Sequence, residues 1–227
     1  MNRSEINNYI ENFIGFCSRY NYQLPDFDYK SKEVLGELEG RQLGFDITDY
    51  GSGDFEKIGL SLFTVRNGNP KEELTIPYCE KTFFSLPGQK TPCHHHKLKT
   101  EDIFVRAGSP LIIKIWNFDP TSPGGYAGQD VGDLEVLFNG CEIRTIRSGQ
   151  EIRLKPGDSV TLTPVLAHEF MADTGGQGSL VGEVSTYNDD AADNYFLDQV
   201  SRFPDIDEDE PIKYPIVGDY LLLRNYK

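Results

Sequence analysis

The chain has 227 residues, 38% of them hydrophobic and 26% charged, and its 22 basic and 36 acidic side chains give a formal net charge of −14. That length suits one domain with a sizeable core, while that charge repels nucleic-acid phosphates and anionic membrane surfaces. No apolar run reaches membrane-spanning length, the opening MNRSEINNYI lacks the apolar core of a signal peptide, and Cys17, Cys79, Cys93 and Cys141 form no C-x-x-C pair. Reduced thiols in a cytoplasmic protein are therefore expected.

The chain opens with a predicted helix. Ser4 is the expected N-cap, and Ile6, Ile10, Phe13, Ile14 and Cys17 recur on one face at helical spacing until Leu24-Pro25 ends it. After a Lys/Glu-rich segment the period becomes alternating: Leu43, Phe45 and Ile47, then Leu60, Leu62 and Thr64 before an expected Asn67-Gly68 turn. Strands are predicted over Tyr78 to Ser85, Ile103 to Val105 and Leu111 to Trp116, followed by a Pro/Gly-rich surface loop between Asp119 and Asp130. Leu134 to Phe138 and Cys141 to Ile146 flank Asn139-Gly140, a strong hairpin signal. Ile152 and Leu154 run into the turn Lys155-Pro156-Gly157-Asp158, and Val160 to Leu162, His168 to Met171 and Leu180 to Ser185 follow. Many short strands with turns at this spacing predict an antiparallel sandwich or barrel. Past Asn188 the sequence turns acidic, and DIDEDEP reads as a solvated run.

Three of the four histidines lie together in Cys93-His94-His95-His96, with Glu101 five residues beyond, in the pattern G-x5-H-x-H-x4-E-x6-G from Gly88 to Gly108. A strand alternates its side chains, so His94 and His96 project to one face while Cys93 and His95 project to the other. A bend that brings Glu101 beside them completes two imidazoles and a carboxylate around one point. That donor set suits manganese, iron or zinc.

The Gly88 to Gly108 pattern resembles the first motif of the cupins, small jelly-roll barrels in which these histidines and the glutamate ligate a metal and a later strand adds a third histidine. His168 is the histidine left for that role, although Pro164-Val165-Leu166-Ala167-His168 lacks the glycine of the family's second motif. The segments LGFDITDYG, LSLFTVRNG, YCEKTFF, TPCHHHKLKTEDI, LVGEVSTYNDD and DIDEDEP, in that order, resemble the larger type of D-lyxose isomerase. The resemblance implies a mainly β fold: one cupin double-stranded β-helix domain over 1–227, with an N-terminal helical extension over about 1–40, a core barrel over about 41–188 and short peripheral helices. It also implies a homodimer that interconverts D-lyxose and D-xylulose, and D-mannose and D-fructose, with a preference for manganese over zinc, iron(II) or cobalt.

Aldose–ketose isomerisation needs an acid/base group beside the metal. Glu183 is the first candidate, because an unpaired carboxylate is costly within the apolar strand Leu180 to Val184. Lys99 is the candidate for holding a substrate hydroxyl or stabilising the enediolate, and Asp189, Asp190, Asp193 and Arg202 are candidates for binding sugar hydroxyls. Of the adjacent Glu80 and Lys81, one is expected to face the barrel. The aromatic candidates for a wall against the sugar are Phe83, Phe84, Trp116 and Phe170. A metal cupin dioxygenase, a sugar-phosphate isomerase and a non-catalytic sugar-binding cupin share the ligand set and are the competing readings.

Overall fold

The computed structural model describes residues 1–69, 76–117, 132–164, 166–189, 192–201 and 204–225. Two helices open the chain, α1 over Arg3–Arg19 and α2 over Lys32–Arg41. The first six strands are β1 (Gly44–Thr48), β2 (Leu60–Arg66), β3 (Tyr78–Ser85), β4 (Lys90–His95), β5 (Glu101–Gly108) and β6 (Leu111–Asn117). Next come β7 (Asp133–Phe138), β8 (Glu142–Arg147), β9 (Glu151–Leu154), β10 (Ser159–Leu162), β11 (Leu166–Ala172), β12 (Ser179–Thr186) and β13 (Tyr195–Phe196). A short helix α3 over Tyr220–Asn225 closes the described chain. Among the described residues no helix is long and apolar enough to cross a membrane.

The strands form two sheets, one of eight strands in the order β1-β2-β3-β12-β5-β10-β7-β8 and one of five in the order β13-β4-β11-β6-β9. The strand pairs are antiparallel, as the hairpin signals predict. Between the sheets lies the main core, where Leu62, Phe83, Ile103, Val105 and Val181 of the larger sheet meet Ile113, Ile115 and Phe170 of the smaller. The Phe83 and Phe170 rings face each other across this space, nearly parallel at 6.1 Å. On the outer side of the larger sheet, Ile6, Ile10, Phe13, Phe16 and Cys17 of α1 cover Phe45, Phe63, Phe84 and Leu180. The predicted helical face is therefore found, with Phe16 buried and Ile14 only partly covered.

The Lys/Glu-rich segment, within the helical extension expected over about 1–40, forms α2, whose N-cap Ser31 accepts the Val34 N–H at 3.2 Å. Two local expectations change. Asn2 rather than Ser4 is the N-cap of α1, and its N–H is bonded to Glu5 at 2.8 Å. Asn67-Gly68 makes no tight hairpin, since β2 ends at Arg66 and β3 begins at Tyr78; instead the Asn67 amide donates to the carbonyls of Arg41 and Asn188. The acidic DIDEDEP run is largely exposed, as expected of a solvated run, and it also bonds the start of α1, where it meets orphan helix N–H groups and the positive end of the helix dipole. Asp209 accepts the Ser4 N–H at 2.9 Å and its hydroxyl at 2.6 Å, and Asn7 donates to Pro211. Glu208 and Asp219 both pair with the fully buried Arg3.

Two turns are as predicted. Asn139 and Gly140 both take the positive φ that such a hairpin demands, at 50° and 68°. Pro156-Gly157 carries the chain from β9 in the small sheet to β10 in the large one. The loop expected between Asp119 and Asp130 lies outside the described residues.

Candidate active site

Local chain geometry places the histidine cluster. Gly88 adopts φ +74° in the turn that enters β4, and Gly108 adopts φ +88° at the end of β5, where an added Cβ would stand 2.5 Å from the Gly178 carbonyl. On β4, Cys93 turns away to pack with Trp116 and Ala167, while His94 faces inward. His94 and His168 are direct cross-strand partners between β4 and β11, so their side chains share a face. Beyond β4 the segment 96–100 crosses from the small sheet to the large one and delivers His96, Lys99 and then Glu101, the first residue of β5. On the opposing sheet, β12 sets Glu183 directly across from Lys81 of β3 and Ile103 of β5.

These side chains line one cavity together with Tyr50, Leu60, Leu62, Phe83, Thr91, Ile103, Phe170, Asn194 and Phe196. Histidines come from the small sheet and the loop that leaves it; carboxylates and lysines come from the large sheet and its approach. One ligand nitrogen from each of His94, His96 and His168 lies within 4.8 Å of the others. Glu101 Oε1 stands 3.4 Å from His96 Nε2 and 3.1 Å from His168 Nε2, and Glu101 Oε2 is 2.7 Å from Lys99 Nζ. Lys99 Nζ also reaches Glu183 Oε1 at 2.9 Å and Asn188 Oδ1 at 3.3 Å. Lys81 Nζ is 4.0 Å from the same Glu183 oxygen. Lys81, Lys99, Glu101 and Glu183 are all buried, so two ammoniums balance two carboxylates in a place where an unmatched charge is expensive.

The imidazoles carry the evidence for a metal. Each Nδ1 lies against a backbone carbonyl: His94 on Pro92 at 2.8 Å, His96 on Asp193 at 2.6 Å and His168 on Leu166 at 3.2 Å. A carbonyl only accepts, so Nδ1 is the protonated nitrogen and Nε2 presents a lone pair to the cavity. Burial, reinforced by His168 and His96, holds the His94 pKa well below the ordinary value, which keeps it neutral. Burial pushes the Glu101 pKa up, but the Lys99 ammonium against Oε2 opposes it, and the carboxyl is held well below its usual range, hence ionised. The result is acceptor facing acceptor: His96 Nε2 and Glu101 Oε1 are buried with no hydrogen-bond partner. A divalent cation resolves that arrangement, and three imidazoles with a carboxylate are borderline donors that fit manganese, iron, cobalt or zinc.

Of the residues singled out from the sequence, His94, His96, His168, Glu101, Lys99 and Glu183 are brought together in this cavity. Asp189 is placed elsewhere: its carboxylate caps a local turn by accepting the Ala192 N–H at 3.1 Å, and it is not among the described lining residues. Asp193 is likewise occupied by backbone N–H groups of residues 97–99. Asp190 and Arg202 lie outside the described residues. Lys81 faces the cavity while Glu80 turns outward to Arg66 and Arg106. Phe83 and Phe170 line the cavity, joined by Tyr50 and Phe196, which sequence reasoning missed; Phe84 packs under α1 and Trp116 beside Cys93.

The model of the D-lyxose isomerase family matches residues 1–220. A protein of Serratia proteamaculans named D-lyxose/D-mannose isomerase is 38% identical, over 97% of this chain and 98% of its own length. One of Escherichia coli O157:H7 with the same name is 36% identical, over 99% of this chain and all of its own. Among solved structures, L-ribose isomerase of Cellulomonas parahominis with L-ribose superposes with a TM-score of 0.61 at 16% identity, covering 91% of this chain and 98% of that one, and so shares the fold. An L-ribose isomerase mutant from Acinetobacter sp. DL28 in complex with L-ribose gives 0.61 at 17% with the same coverage. The fold is that of a cupin, and the chain belongs to the D-lyxose isomerase family.

Proposed function

We propose that this chain is a metal-dependent aldose–ketose isomerase that interconverts D-lyxose and D-xylulose, and D-mannose and D-fructose. Its resident ion would be manganese, held by His94, His96, His168 and Glu101, in a homodimer of the cytoplasm. One observation carries the reading: a buried cluster of lone pairs that calls for a cation is linked through Lys99 to a second carboxylate, Glu183, inside one cavity.

When bound there, a divalent ion supplies Lewis-acid stabilisation of the negative charge that develops on the sugar's O1 and O2. Glu183 takes the proton from C2 and returns it to C1, while the hydroxyl proton of O2 passes to O1, so that the ketose carries the same atoms as the aldose. Lys99 Nζ lies 2.9 Å from the Glu183 carboxylate and supplies a counter-charge beside it. Once Glu183 is protonated, the Lys99 charge loses one of its two counter-charges at the moment when the enediolate needs a cation nearby. Lys99 already donates toward Glu101, Glu183 and Asn188. It is therefore assigned to tie the two carboxylates together rather than to reach for a sugar hydroxyl. Lys81, 4.0 Å from Glu183 Oε1, adds a second positive charge on the same side. Tyr50, Phe83, Phe170 and Phe196 supply apolar walls for the sugar's carbon face. Because both cavity lysines are matched by carboxylates, the lining favours an uncharged sugar over a sugar phosphate.

The test is an anaerobic incubation of metal-stripped protein with D-lyxose, with and without added Mn2+. D-Xylulose forms only with the ion and without any oxygen. If D-lyxose and D-mannose both stay unchanged under Mn2+, the proposal fails, and ferrous iron with oxygen uptake becomes the next assay.

A further inference from the structure

The segment 96–100 carries two of the site's groups, His96 and Lys99, yet has no regular secondary structure of its own. The side chain at its tip, Leu98, is 82% exposed, so side-chain packing there does not hold it. What holds it is Asp193. The Asp193 carboxylate accepts the backbone N–H of Lys97 at 2.8 Å, of Leu98 at 3.2 and 3.3 Å, and of Lys99 at 3.0 Å. The backbone carbonyl of the same residue takes the His96 Nδ1–H at 2.6 Å. His94 and His168 rest on carbonyls two residues before them in their own strands, whereas the carbonyl under His96 comes from a residue 97 positions away.

Asp193 is itself anchored in a wall of the cavity. Its N–H is bonded to the Asp189 carbonyl at 2.9 Å, and β13, which begins two residues later, pairs with His94 and His95 of β4. Asn194 and Phe196 line the cavity, and Lys97 Nζ sits 4.0 Å over the Tyr195 ring as a second tie between the two segments. We propose that Asp193 is a positioning residue that couples this wall of the substrate cavity to the metal ligand His96 and to Lys99. The proposal rests on the metal reading above. The physical basis is that a carboxylate collecting several N–H donors makes strong charge-assisted bonds, and that the group behind a ligating imidazole fixes its orientation and tautomer. Loosening Asp193 therefore moves His96 Nε2 and Lys99 Nζ together.

The experiment uses the full chain and Mn2+ alone as the calorimetric titrant, on wild type, His94→Ala, Asp193→Ala and Asp193→Asn. It is paired with kcat and KM for D-lyxose in Asp193→Ala, Lys99→Met and the double variant. Wild type binds Mn2+ and His94→Ala does not; Asp193→Ala binds about 10- to 100-fold more weakly, and Asp193→Asn, with one acceptor oxygen left, recovers part of that. In the double variant the loss of kcat falls well short of the product of the two single losses, because both act through Lys99. Should Asp193→Ala fail to fold, Asp193→Asn carries both measurements. Mn2+ affinity within twofold of wild type in the Asp193 variants, or losses that simply multiply, overturns the coupling while leaving the metal reading intact. A wild-type protein that takes up no Mn2+ overturns both.

Discussion

Two polar clusters in this molecule, each built around buried side chains, use paired cations and carboxylates to opposite ends. At the clasp between the chain's two ends, Arg3 Nη1 and Nη2 donate to Asp219 at 3.0 and 2.8 Å, while Nε and Nη2 donate to Glu208 at 2.8 and 2.7 Å. Donors there meet acceptors and positive meets negative, so the cluster is complete as it stands. In the barrel, imidazole lone pairs confront a carboxylate oxygen, and His96 Nε2 and Glu101 Oε1 stay without hydrogen-bond partners. A satisfied polar cluster secures a fold; one whose ligand atoms converge without partners could hold a cation.

Substitutions should break the two clusters in different observables. His96→Ala removes a donor from the incomplete cluster, and about a thousandfold or more of kcat goes with the Mn2+; metal analysis beside a D-xylulose assay reads both. Glu183→Gln sharpens the division inside the site. It retains Mn2+ but loses about 10²- to 10⁴-fold in kcat, the range of a proton-transfer group, and full activity in that variant would remove Glu183 from the mechanism. Arg3→Met attacks the complete cluster, leaving the Asp219 carboxylate buried without its partner. It costs about 3–5 kcal/mol, roughly 6–20 °C in melting temperature for a chain of this size, while Mn2+ affinity in the folded protein stays at the wild-type value.

The smallest effect is on pH. Hydrogen bonds from Arg3 and from Ser4 lower the pKa values of Glu208 and Asp209 respectively. Groups depressed in the folded state contribute stability above their ordinary carboxylate pKa and lose it as the pH falls through the lowered folded value. The melting-temperature gap between wild type and Glu208→Gln should therefore be open at neutral pH and narrow on acidification; a gap that widens in acid contradicts the pairing.

The histidine motif was legible because strand parity puts His94 and Cys93 on opposite faces, and because Gly88 and Gly108 mark the turns at both ends. Parity failed where both faces of a strand are buried. On β3, Phe83 points into the barrel and Phe84 points under α1, so an apolar pattern covers both faces and the choice between Glu80 and Lys81 is invisible. Glu183 sits in the same kind of strand, with Val181 facing the barrel and Leu180 facing α1. The acidic DIDEDEP run is exposed as expected, but its bonds to α1 were invisible because those partners lie about 200 residues away, at the other end of the chain. Asp193 read as a sugar-binding carboxylate for the same reason: its partners are backbone N–H groups, which leave no trace in composition or spacing.

The most direct test of the account follows D-lyxose in D2O under nitrogen with the Mn2+-loaded protein, analysed by NMR after protein and metal are removed. The account predicts D-xylulose carrying solvent deuterium at C1, placed there by a carboxylate that exchanges its proton with water. D-Xylulose free of deuterium throughout the reaction, together with wild-type turnover in Glu183→Gln, would contradict it.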